Sequence, residues 1–253
     1  MSVPAQSAPP GEHPLAPMLR KLEGWAPLTE SDREAILALP HSLRTIEAAR
    51  YVVREGDVST HACLLRSGFA YRHKLVGDGS RQIVAIHMRG DLVDLQNSLL
   101  RLADHSVQAL TQIDVALVPR AAIQALVSSH PGAAWAMWLD TLVDGSIFRE
   151  WLANVGRRDA RARTAHLLCE FALRQEAAGL GERGAYELPM TQEQLADTLG
   201  LTPVHVNRTL KSLESDGLIE RHRRAVTIGS WEQLRDVGDF NPAYLHLELA
   251  GAG

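Results

Sequence analysis

Residues 191–219, TQEQLADTLGLTPVHVNRTLKSLESDGLI, leave the chain little freedom in how to fold. Thr191 followed three residues later by Gln194 is a capping box, in which each side chain satisfies a backbone N–H that a helix start leaves unpaired. Leu195 and Leu199 supply the buried face of that first helix, and Gly200 closes it. Thr202 caps a second helix with Pro203 at its first position, where the missing N–H has no consequence. Val206, Leu210 and Leu213 recur at spacings of four and three and face inward. Val204, His205, Asn207, Arg208 and Lys211 are left on the outer face. The stretch predicts two short helices across a tight turn, the second unusually well supplied with polar side chains.

A helix presenting Asn, Arg, His and Lys near its start, held by a preceding helix, has what is needed to enter a DNA major groove. Arg can donate twice to guanine, Asn can pair with adenine, and Lys serves phosphates. The plainer alternative is a helical hairpin whose polar face is merely solvated. Thr191, Gln192 and Thr202, at the two helix starts, join the candidate DNA-contacting residues. The following GLIERHRRAVTI, residues 217–228, reads as two short strands around RHRR. Such a basic wing offers Arg223 and Arg224 to backbone phosphates.

Composition sets the wider bounds. A chain of 253 residues, 45% hydrophobic and 22% charged, is long enough for two domains with separate cores. The net charge of -4 argues against a wholly basic nucleic-acid binder, so any basic surface is local, beside the helix pair. Cys63 and Cys169 are the only cysteines, which excludes a disulfide framework and any four-cysteine cluster or zinc site; a reducing cytoplasm fits. No apolar run approaches the roughly 18 residues of a membrane span, and the start has no signal-peptide pattern. Residues 1–27 begin rich in Pro, Ala and Ser and are expected to form a disordered tail.

Residues 28–39 predict a short helix capped by Thr29 or Ser31. From about 43 to 118, short β-forming runs broken by Gly56, Gly68, Gly77, Gly79 and Gly90 predict a compact barrel or roll. A helix follows from Pro131, with Trp135, Trp138, Leu142, Trp151 and Leu152 among its apolar positions. It could pack on its own roll, but the apolar positions cover more than one face and favour pairing with the same helix of a second subunit. DARARTAHLLCEFALRQEAAG predicts one more amphipathic helix, ending at Gly179.

The 191–219 stretch resembles the winged helix-turn-helix of the Crp/Fnr family of bacterial transcription regulators. YVVREGD, LLRSGFAY, RQIVAIHMRGD and DVALVPR are similar to the family's cyclic-nucleotide-binding-like β-roll, and the tryptophan-rich helix sits where its dimerisation helix sits. The resemblance implies an α+β fold: a β-roll sensor domain over 28–132, a long dimerisation helix over 133–157, a winged helix-turn-helix over 158–235, and a C-terminal extension over 236–253. It also implies a cytoplasmic homodimer that binds a palindromic site on double-stranded DNA and contacts RNA polymerase.

The chain departs from members of the family that bind cyclic AMP. Those carry a Gly-Glu pair and then an Arg beside Ser or Thr that neutralises the cyclic phosphate. Here Gly90 and Asp91 are followed by Arg101 without the hydroxyl, or by Ser106 without the Arg. A phosphate buried without both partners is costly, so the expected effector is not a cyclic nucleotide; the alternative is a cyclic-nucleotide receptor using Asp91 and Arg101. Two cysteines cannot hold an Fnr-type iron–sulfur cluster. His61, His73 and His87 read as surface or hydrogen-bonded residues rather than haem ligands, and Cys169 as a small buried side chain. A cupin-type enzyme would need clustered His and Glu ligands, and AIHMRGD supplies one His. No catalytic residue, metal site or cofactor is expected.

Overall fold

In the computed structural model, residues 11–247 are described, and they divide into two compact units. Of the described residues, the first holds 11–74, 85–145 and 246–247; the second holds 75–84 and 146–245.

The strands between 42 and 119 form a roll of two sheets, most of it in the first unit. One has the order β1 (Ser42–Ile46), β7 (Ile113–Pro119), β3 (His61–Ser67). The other has the order β2 (Tyr51–Val53), β6 (Ser106–Ala109), β4 (Ala70–Leu75), β5 (Arg81–His87). β3 and β7 read as continuous apolar runs because both of their faces are covered. Cys63, Leu65, Ile113 and Val115 face the interior between the sheets. Ala62, Leu64, Ala116 and Val118, one residue out of phase, face a second core built by helices.

Those helices are α1 (Ala16–Trp25), α2 (Glu30–Leu37), α3 (Arg120–Ser129) and the start of α4 (Pro131–Arg157). Thr29, rather than Ser31, caps α2, in a capping box with Asp32. α1 corrects the expectation of a disordered tail over 1–27. Leu15, Met18 and Leu22 are fully buried at spacings of three and four, with Pro17 in the first turn. The Pro- and Ala-rich composition had masked that stripe; the part of the expected tail over 1–10 lies outside the described residues.

α4 runs for 27 residues from Pro131, where the helix was expected to begin, to Arg157. Ala133, Ala136 and Met137 are buried, while Trp135, Trp138, Leu142 and Leu152 are 53%, 58%, 52% and 67% exposed. Phe148, absent from the expected set, joins this exposed stripe. Trp151 leaves it: the residue is buried, and its indole N–H donates to the Glu170 carboxylate at 2.9 and 3.0 Å. It packs inside its own chain because it lies on the opposite side of α4 from Leu142 and meets Glu170 of the same chain.

The second unit contains α5 (Ala160–Ala177), β8 (Ala185–Glu187), α6 (Gln192–Leu199), α7 (Pro203–Ser215), β9 (Ile219–His222), β10 (Ala225–Ile228) and α8 (Trp231–Val237). The described part of the segment expected as a C-terminal extension over 236–253 packs on α5. Phe240 and Leu245 are buried, and His166 of α5 meets Phe240 edge-on at 5.0 Å and stacks on Tyr244 at 5.8 Å. Residues 248–253 lie outside those described. Cys63 and Cys169 are buried; burial pushes the Cys169 thiol up to about 12, far from the reactive thiolate.

Candidate nucleic-acid interface

The helix pair is built by local chemistry. Thr191 Oγ1 accepts from Gln194 N at 3.2 Å while Gln194 Oε1 accepts from Thr191 N at 2.9 Å. Gly200 ends α6 in the left-handed region at φ 63°, where a side chain would be strained and a Cβ would press to 3.1 Å from Val155. Thr202 caps α7, accepting from His205 N at 3.3 Å. A cap of this kind contributes about 1 kcal/mol.

α7 then presents two unlike faces. Val206, Leu210 and Leu213 are fully buried. Val204, Arg208 and Lys211, at spacings of four and three, stand on the exposed side, Val204 at 81% exposure, with His205 and Asn207 half-buried at its flanks. Thr191, Gln192 and Thr202 are exposed as well. In the wing, β9 and β10 pair antiparallel with His222 opposite Ala225, so the turn is Arg223 and Arg224, both exposed. Arg224 has only a loose partner, Glu187 at 4.0 Å. Arg221 is not part of this tip, because both its Nε and a terminal nitrogen bind Glu214 of α7.

Other basic residues scaffold the motif rather than line it. Arg161 of α5 donates to Ser212 at 2.6 Å and pairs with Asp216 at 2.5 Å, at the end of α7. Arg163 donates to the Leu199 carbonyl at 3.0 Å, at the end of α6. The run GRRDARAR shows the charge, but only the packing of α5 against α6 and α7 assigns it to internal bonds.

The expected effector residues fare differently. Gly90 and Asp91 form a tight corner after β5, and Asp91 is buried. Its carboxylate accepts from Met88 N at 3.0 Å and pairs with Lys21 at 2.8 Å, with His87 Nδ1 3.5 Å away. Arg101 is exposed in the loop that precedes β6. Among the described residues no group of three or more His, Cys, Asp and Glu side chains gathers as a metal-holding set, and no helix is long and apolar enough to cross a membrane.

Comparison with known proteins places both halves. The family model for the Crp-like helix-turn-helix domain matches residues 162–237, and that for the cyclic nucleotide-binding domain matches 43–130. A probable transcriptional activator of Rhizobium leguminosarum bv. viciae is 30% identical over 183 residues, 71% of this chain and 74% of that protein. The chain belongs to the Crp/Fnr family.

Within the Crp/Fnr family it is also similar to the transcriptional activator protein FnrL of Cereibacter sphaeroides, 28% identical over 83% of this chain and 86% of that one. The solved structure of FixK2 from Bradyrhizobium japonicum shares the fold with a TM-score of 0.73 at 24% identity, covering 79% of this chain and 98% of that chain. The protein is therefore a Crp/Fnr-type transcription regulator with a helix-turn-helix DNA-binding domain, and not an enzyme, which removes the cupin alternative.

Proposed function

We propose that this Crp/Fnr regulator works in the cytoplasm as a homodimer. Two α7 helices would enter successive major grooves of a two-fold symmetric site, the wings would hold phosphates, and RNA polymerase would be the further partner. The observation that carries the reading is the exposed Val204–Arg208–Lys211 face of a helix whose other side is fully buried. The pairing rests on the apolar stripe of α4: an exposed run of Trp135, Trp138, Leu142, Phe148 and Leu152 is an aggregation hazard unless a second copy covers it. The β-roll over 28–132 would be the sensor and α4 the dimerisation helix. The names of FnrL and of the Rhizobium relative favour activation.

The roles on α7 follow from side-chain chemistry. Arg208 reads a guanine, Val204 packs its methyls on a thymine methyl, His205 and Asn207 add polar contacts, and Lys211 holds a phosphate. In vitro selection with wild type, Arg208→Ala and Val204→Glu tests this. Wild type should select a symmetric site with one G per half-site. Arg208→Ala should relax that position at about 1–3 kcal/mol per half-site, and Val204→Glu should bring in a cytosine. If wild type selects nothing, or if neither variant changes the selected sequence, this face of α7 does not read DNA.

The effector we infer is not a cyclic nucleotide. Support comes from Asp91, whose carboxylate is engaged by an ammonium, and from the exposure of Arg101. Because a cyclic nucleotide-binding domain model matches the roll, calorimetry with cyclic AMP and cyclic GMP is the direct check. Micromolar binding lost in Arg101→Ala would reinstate the receptor reading.

A further inference from the structure

The turn between β4 and β5 belongs to the same compact unit as the helix pair, since 75–84 and 146–245 group together. The turn is made by its own residues. Val76 N donates to the Ser80 carbonyl at 3.0 Å, Gly79 takes a left-handed φ of 84°, and Asp78 Oδ1 accepts from Ser80 N at 2.8 Å. The next two residues, Arg81 and Gln82, both reach α6. Arg81 places Nε 2.7 Å and a terminal nitrogen 2.6 Å from one oxygen, Asp197 Oδ2. Gln82 donates its side-chain amide to the Thr198 carbonyl at 3.2 Å.

Both contacts fall on the last turn of α6, where a helix is least able to hold itself. The final carbonyls of a helix have no N–H of the same helix to accept from, and that end carries partial negative charge. Asp197 sets a carboxylate there, which is unfavourable without a cation. Arg81 is that cation, and the two side chains are only 25% and 21% exposed. The Ala196 carbonyl is served locally, by Gly200 N and Leu201 N. The Thr198 and Leu199 carbonyls accept instead from side chains brought from elsewhere, Gln82 of the hairpin and Arg163 of α5. These carbonyls directly precede residues 200–202, the bend that aims α7.

We propose that Arg81 and Gln82 are positioning residues for DNA recognition: the β4–β5 hairpin holds the end of α6, and with it the bend into α7. Reading the site then needs a segment outside the helix-turn-helix itself. The family model for that domain spans 162–237, whereas both residues lie within 43–130, the stretch matched by the cyclic nucleotide-binding domain model. The inference rests on the preceding reading that α7 enters DNA. Neither residue touches DNA in this role; Arg81 acts through Asp197, and Gln82 through the Thr198 carbonyl.

The test uses the full chain, with Arg81→Met, Arg81→Lys, Gln82→Ala and Asp197→Ala. Amide hydrogen exchange over residues 195–201, without DNA, reports the end of α6. Fluorescence anisotropy on the selected duplex at several salt concentrations reports the consequence. Arg81→Met should speed exchange there at least ten-fold and weaken binding at least ten-fold, with the slope of log affinity against log salt unchanged because no phosphate contact is lost. Arg81→Lys, which keeps a cation for Asp197, should restore most of both. Added to Asp197→Ala, the Arg81→Met change should alter exchange by less than two-fold, because its partner is already gone. If Arg81→Met does not fold, Gln82→Ala, which removes a single donor, should still speed exchange over 195–201 at least three-fold. Wild-type exchange over 195–201 in a folded Arg81→Met protein, or in Gln82→Ala where Arg81→Met does not fold, overturns the proposal. So does wild-type DNA affinity in Arg81→Met, or a slope that falls by about 0.9, which would make Arg81 a phosphate contact. If wild type itself binds no duplex, the DNA reading falls, and the exchange comparison alone decides whether the hairpin holds α6.

Discussion

Arg221 of the wing reaches back to Glu214 in the last turn of α7, with Nε 3.0 Å from Oε1 and a terminal nitrogen 2.9 Å from Oε2. This two-pronged pair fixes the wing against α7, since a guanidinium and a carboxylate match in a single plane. It separates the arginines of RHRR by role: Arg221 positions the wing, and Arg223 and Arg224 form its tip.

Replacing Arg223 and Arg224 with Ala should weaken binding to all duplexes alike and reduce the slope of log affinity against log salt by about 0.9 per lost phosphate contact. Arg221→Ala should change that slope less and instead increase hydrogen exchange in β9 and β10. Titrations at several salt concentrations read both effects. A changed base preference at constant slope in the double variant would mean that the tip reads bases.

Two residues of the same helix should part company in solution. Leu142 is half exposed, so Leu142→Glu would place a charge in the seam between two chains, and sedimentation should show monomers. Trp151 is internal, so Trp151→Phe should leave a dimer while costing about 1–3 kcal/mol in urea unfolding, the range for a lost bond to a charged acceptor. A stable Leu142→Glu dimer would move the seam elsewhere.

Tyr244 donates to Glu170 at 2.7 Å and lies 3.1 Å from His166 Nε2. Glu170 is buried and also takes the Trp151 N–H, so the last described turn of the chain secures a buried carboxylate. Tyr244→Phe should destabilise by about 1–3 kcal/mol, and its effect should be non-additive with Trp151→Phe because both act on one carboxylate. A negligible change in urea midpoint would show that residues beyond 237 are dispensable to this core.

Asp94 should imprint itself on the pH dependence of stability. Burial pushes its carboxyl up to about 7, whereas the unfolded chain ionises near the ordinary aspartate value. Between about pH 4 and 7 the folded state then holds a proton that the unfolded state has lost, so stability falls as pH rises, by up to about 1.4 kcal/mol per unit. His87, His105 and His166 are lowered by burial and act in the opposite sense, adding stability as pH rises toward 6.5. Comparing Asp94→Asn with wild type isolates the aspartate: Asn keeps an oxygen for Cys63 N, and the variant should gain on wild type as pH rises from 5 to 8. Parallel stability curves would mean that Asp94 ionises at the same pH in both states.

The helix pair was legible in the sequence because its determinants are local. Thr191, Gln194, Gly200, Thr202 and Pro203 act within a few residues of themselves, and the inward positions Val206, Leu210 and Leu213 follow from helical period alone. The roll was legible as short β-forming runs broken by glycines. What chain order could not reveal is which partner each charged or amphipathic side chain meets. Trp151 and Leu152 look alike as apolar neighbours on one helix, yet one turns to Glu170 and the other to solvent. Arg221 and Arg223 look alike as basic wing residues until Glu214 takes the first. Lys21 gave no signal, since its partners lie 70 and 119 residues away, and α1 was hidden in a Pro- and Ala-rich start whose stripe matters only once a core exists to receive it. Capping and periodicity are short-range physics written in order along the chain; ion pairing and burial depend on distances that only the folded chain sets.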